Sequence, residues 1–97
     1  MLFMVIERFR NRDAKAVYLR AKEQGRMLPE GLTYVASWVE DTLDRCFQLM
    51  ECDDPRLFQQ WTVHWEDLVA FEIAHVVSST EAADAALSGQ DLPRVGP

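Results

Sequence analysis

The sequence predicts an α+β domain in which a four-stranded antiparallel sheet packs against two helices. Two observations carry that prediction. Extended, β-rich segments and segments of helical period follow one another in the order β-α-β-β-α-β, with a turn or cap residue at the boundaries. Apolar residues make up 48% of the 97 and charged residues 27%, with only four Gly and four Pro, which excludes a disordered or low-complexity chain.

Leu2–Phe9 is the first strand, rich in β-formers and bounded by Asn11. The period then changes. Ala14, Val17, Tyr18 and Ala21 fall at i, i+3, i+4 and i+7, the apolar stripe of a helix over 13–24. Asn11 or Asp13 can cap its start, and Gly25 stands where a left-handed residue closes a helix. Pro29-Glu30-Gly31 reads as a turn into a second strand, Leu32–Glu40. Asp41 to Asp44 connects it, as a hairpin, to a third, Arg45–Cys52. Asp53-Asp54-Pro55 opens the second helix, a capping aspartate followed by proline at the first helical position. Leu57, Phe58, Trp61, Trp65 and Leu68 continue it at helical spacing. Ala70–Val77 is the fourth strand. Ser78 and Glu81 then have the spacing of a capping box and lead into an alanine-rich helix that Gly89 ends. Gln90–Pro97 has no apolar period and reads as a loose tail. The chain thus divides into a domain over 1–78 and a C-terminal helix and tail over 79–97. The order is that of a ferredoxin-like sandwich, whose right-handed crossovers set both helices on one face of the sheet.

Alternation along each strand leaves both sides apolar. Leu2, Met4 and Ile6 oppose Phe3, Val5 and Phe9; Thr33, Val35 and Val39 oppose Tyr34, Ala36 and Trp38. Phe47 and Leu49 oppose Cys46, Met50 and Cys52; Phe71, Ile73 and Val77 oppose Ala74 and Val76. A sheet with one wet face shows polar residues there, and this one does not. Two helices cover a single face, so the other needs a second copy, sheet on sheet about a two-fold axis. Cover by the chain's own helix, Glu81–Leu87, is the alternative, but its alanine face is small.

A net charge of −6 repels phosphates and anionic lipid, so neither nucleic acid nor a membrane is an expected partner. Arg8, Arg10, Arg12, Lys15, Arg20, Lys22 and Arg26 crowd the first quarter of the chain without a recognition motif. They read as a solvated helix face or as a contact with the acidic half of a second subunit. Met1–Ile6 is too short and lacks the basic lead of a secretory signal, and no apolar run reaches the ~20 residues that span a bilayer. Cys46 and Cys52, on one strand, stand roughly 20 Å apart, beyond disulfide reach. Reduced thiols fit a cytoplasmic protein.

Four stretches carry a likeness: MLFMVIERFRNRD, RMLPEGLTYVASWVE, DRCFQLMECDDPRLFQQW and WEDLVAFEIAHVV. Over residues 1–78 the chain resembles a family of short, mostly bacterial proteins of unknown function, itself similar to the dimeric α/β-barrel superfamily. The resemblance implies the fold and the homodimer, and no catalytic motif to carry over. The wider superfamily includes cofactor-free monooxygenases, small isomerases and haem-degrading enzymes.

Candidate chemistry starts from carboxylates. Glu7 stands on the Phe3/Val5/Phe9 side of the first strand, and Glu72 alternates with the apolar set of the fourth, its neighbour in such a sheet. The two are expected to share one cavity, lined also by Tyr34, Trp38 and Gln48 and enclosed between the sheet and its partner copy. Paired, desolvated carboxylates suit general-base work; solvated or arginine-paired carboxylates are the plainer alternative. His75 is a third candidate proton carrier or a core histidine, and His64 is expected at the surface. Cys46, Cys52, His64 and His75 lack paired zinc spacing, Asp53-Asp54 is a cap, and the glycines form no phosphate or dinucleotide loop, so no metal or cofactor is expected. Trp61 and Trp65 read as core. The expected function is homodimeric binding of a small organic molecule. The alternatives are cofactor-independent oxygenation or isomerisation, with Glu7, Glu72 or His75 moving protons, and a structural or protein-interaction module. A cavity of about 300 Å3 or more favours binding or catalysis.

Overall fold

The strand Leu2–Phe9 (β1) is the hub of the sheet. In the computed structural model, which describes residues 1–92, it pairs antiparallel with Arg45–Glu51 (β3) on one side and Val69–Val76 (β4) on the other. Thr33–Val39 (β2) adds to the outer edge of β3, giving the order β2-β3-β1-β4. Helices Ala14–Gln24 (α1) and Leu57–Thr62 (α2) follow β1 and β3, and Ser79–Ser88 (α3) follows β4. The result is an α+β fold with an open four-stranded antiparallel sheet and three helices, consistent with the ferredoxin-like arrangement.

Local chemistry explains the boundaries. Asp13 caps α1 by accepting from the Ala16 amide at 3.1 Å, and Gly25, at φ +68°, closes it with its amide on the Ala21 carbonyl. Gly31, at φ +94°, turns the chain into β2. The positive φ favours glycine, and a Cβ there would meet Leu57 Cδ1 at 3.0 Å, so that side chain would have to give by a few tenths of an ångström. Asp54 accepts from the Arg56 amide at 3.0 Å, but this bond closes a turn. Helix α2 itself begins at Leu57, its N-cap is Arg56 without a side-chain cap, and Pro55 lies ahead of the helix rather than at its first position. Regular α2 is only six residues long. The weak helix former Thr62 ends it, Val63 and His64 follow, and the chain tightens into i→i+3 turns, such as the His64 amide on the Trp61 carbonyl at 3.1 Å. Ser78 caps α3 by accepting from the Glu81 amide at 3.1 Å.

Phe3, Val5 and Phe9 of β1 share one face with Cys46 and Met50 of β3 and Val69 of β4. Val17, Phe58, Trp61 and Trp65 cover that face to form the core. Leu2, Met4, Ile6, Phe47 and Leu49 point the other way and stay half-exposed. No residue of α3 is buried, and Leu87 is 89% exposed. The expected tail, Gln90–Pro97, lies outside the described residues from position 93 onward.

One expectation about β2 is corrected here. Tyr34 faces Met50 while Ala36 faces Leu49, so the chain bulges at Val35. A bulge inserts one residue and reverses the alternation beyond it. Tyr34 therefore lies on the helix-covered face, and Ala36 and Trp38 lie on the open one.

Candidate functional site

The register divides the expected site residues between the two faces. Glu7 pairs with Cys46 on one side and Phe71 on the other, which puts it on the helix-covered face with Gln48 and Tyr34. Glu72 pairs with Ile6 and thus stands on the open face, as does Trp38, which is 57% exposed. The single cavity expected for all five is replaced by two surfaces separated by the thickness of the sheet. Glu72 departs by strand parity; Trp38 departs through the bulge. On the open face the Glu72 charge acts on Arg45, whose guanidinium pairs with Glu40. His75, opposite Phe3 with ring centroids 5.2 Å apart, lies four residues along β4 from the partner of Glu7 and joins a separate groove with Met1, Leu2 and Glu81. His64 is exposed, as expected.

What gathers around Glu7 is a buried polar chain. Glu7 is 7% exposed, and Gln48 Nε2 donates to its carboxylate at 2.8 Å. The Gln48 carbonyl oxygen in turn accepts from Arg26 Nε at 3.1 Å. The Arg26 guanidinium lies 3.7 Å from the centre of the Tyr34 ring. Its backbone carbonyl accepts from both indoles, Trp61 Nε1 at 2.9 Å and Trp65 Nε1 at 3.0 Å. The i,i+4 spacing of these tryptophans, legible as a core stripe, is thus also what fixes the segment after α1 over the sheet.

A cavity of about 130 Å3 opens beside this chain, between β1, β3, α1 and the segment after α2. Glu7, Gln48, Cys46 and Arg26 supply its polar wall, and Phe9, Tyr18, Trp61 and Trp65 its aromatic one. It lies on the helix side of the sheet, and its volume falls below that of a pocket for drug-sized ligands, matching instead a molecule of about six heavy atoms.

Burial disfavours the charged carboxylate and pushes the Glu7 pKa up to about 7, against smaller opposing effects from Gln48, Arg26 and Cys46. The Cys46 thiol is pushed up to about 12, first by burial and then by the Glu7 charge, so it stays protonated near neutrality. Tyr18 also rises above the ordinary phenol range, chiefly by burial. Glu7 is the carboxyl of this site that exchanges a proton near neutral pH.

Arg26 was readable only as one member of a basic cluster; its place after Gly25, off the helix, was the available signal. Two others of that cluster, Arg20 and Arg12, find acids in their own chain, and Arg10 donates to the Glu66 carbonyl at 2.8 Å. Arg20 grips Asp67 through two hydrogen bonds of 2.7 Å and also donates to the His64 carbonyl, while Arg12 reaches Asp44 at 3.1 Å. Among the described residues no three of His, Cys, Asp and Glu gather as a metal ion would need, and no helix is long and apolar enough to cross a membrane.

Comparison with known proteins adds one relationship. No curated protein and no solved structure matches the chain. Residues 1–90 match the family described as a domain of unknown function (DUF3303), and the chain belongs to that family.

Proposed function

We propose that this protein binds a small organic molecule, of about benzene's size or less, in the cavity beside Glu7. The observation that carries this reading is a carboxyl 7% exposed, held by one side-chain amide, at the wall of an aromatic-lined hollow. A burial costing that much is rarely maintained for packing alone. A second reading rests on the same carboxyl. With a pKa of about 7 it suits a general base, so proton transfer within the bound molecule, as in an isomerisation, is the enzymatic form of the proposal.

The working unit in this reading is a cytoplasmic homodimer joined through the open sheet face, in the manner of the dimeric α/β barrels. Leu2, Met4, Ile6, Phe47 and Leu49 support it, because they form a half-exposed apolar surface beside Trp38. A thermal-shift screen of small amines, alcohols and acids tests the ligand. Stabilisation of the wild type that Glu7→Gln alters supports it, and an unmoved melting temperature throughout refutes it. Sedimentation equilibrium tests the dimer: Ile6→Glu is expected to give a folded single copy from a wild-type pair, and a wild type that is already single refutes it.

A further inference from the structure

The polar chain leaves Glu7 short of positive charge. Among the described residues no cation pairs with it directly, and Arg26 reaches it only through Gln48. The Arg26 guanidinium is itself held against the Tyr34 ring and the Gln48 carbonyl oxygen. Four aromatic side chains line the same hollow, and aromatic faces attract cations. Where Glu7 is ionised, an anion entering here would meet its charge in a low-dielectric setting, and a neutral ligand would leave that charge only the Arg26 guanidinium, beyond Gln48, to balance it.

We propose that the cavity takes a small alkylammonium cation, its charge on the Glu7 carboxylate and its alkyl groups among Phe9, Tyr18, Trp61 and Trp65. The assignment rests on the ligand-binding reading above and names the ligand class. A cavity of about 130 Å3 suits a compact body such as a tert-butyl group. The cation supplies the compensation that burial denies the carboxylate, so binding favours ionised Glu7 and releases a proton wherever Glu7 was protonated. The groups facing Glu7 are Arg26 from the segment after α1, Tyr18 from α1, and Cys46 and Gln48 from β3. β4 presents Phe71, and the region of α2 presents Trp61 and Trp65, none of which titrates. The tyrosine and thiol are raised by burial, so Glu7 governs the pH response.

Calorimetric titration of the full chain with tert-butylammonium, tert-butanol and pivalate compares one apolar body bearing a cationic, a neutral and an anionic head. Tert-butylammonium is expected to bind at least about tenfold tighter than the other two at pH 8, and about tenfold tighter at pH 8 than at pH 6. Glu7→Gln, checked for folding by circular dichroism, is expected to keep tert-butanol binding and lose the preference for the ammonium. Tighter binding of tert-butanol or pivalate by the wild type overturns the ammonium assignment and leaves the ligand pocket standing. So does ammonium binding that ignores pH. Failure of all three probes to bind overturns both.

Discussion

The two faces of the sheet differ in an unexpected sense. The covered face, where Val5 and Met50 have no exposure at all, is the one that holds a carboxyl, an amide and, over them, an arginine. The face turned away from the helices is apolar over its middle, from Leu2 to Ile6 and from Phe47 to Leu49. Ordinary packing would arrange matters the other way round. In the reading proposed above, the polar inner face is the place for a ligand and the apolar outer face the place for another copy.

The largest contrast is expected between two tryptophans. Trp61 is 1% exposed and Trp38 is 57% exposed, on opposite faces. Trp61→Ala should cost about 3–5 kcal/mol by chemical denaturation, and Trp38→Ala less than about 1 kcal/mol when measured dilute enough that copies stay apart. Equal losses would erase the distinction between the faces.

Next in size is the pH response of the covered face. The Glu7 pKa is raised in the fold, so the native state holds its proton more tightly than the unfolded chain does. The Glu7 contribution to stability is therefore intact below about 4.5, declines as the pH rises through about 7, and is level above it, a loss of about 3 kcal/mol in all. Glu7→Gln should flatten that decline and be the more stable protein at pH 8, read from urea midpoints across pH.

Much of the fold was legible because its signals are local. Asp13, Gly25 and Ser78 each act within one turn of chain, and each stands where its chemistry indicated, whereas Asp54 closes a turn ahead of α2 instead of capping it. The order β-α-β-β-α-β followed from the same signals. The site was legible only in part. Glu7 and Gln48 were rightly grouped, but their cavity was expected between the sheet and a partner copy and lies instead under the helices. Glu72 needed the β1–β4 register, a long-range fact that strand periodicity alone does not contain. The bulge at Val35 leaves no glycine or proline to announce it, so Trp38 was grouped with Tyr34, from which the sheet separates it. Arg26 joins the site through a carbonyl that two distant indoles share, and nothing local records that contact.

Smaller effects separate the body of the fold from its C-terminal helix. Gly31→Ala should destabilise the whole protein by about 1–2 kcal/mol, because it strains a positive φ and crowds Leu57. Ser78→Ala should cost α3 about 1 kcal/mol through its lost cap. Hydrogen exchange should show faster exchange in α3 alone, since that helix buries no residue against the body.

The most direct measurement is the titration of the Glu7 side-chain carboxyl followed by carbon-13 NMR, with Glu7→Gln identifying its resonance. A midpoint near 7 is expected for a carboxyl that burial holds neutral and no cation pairs. A midpoint at or below the ordinary 4.5 would mean that Glu7 is hydrated or ion-paired, and that the covered face holds no poised site.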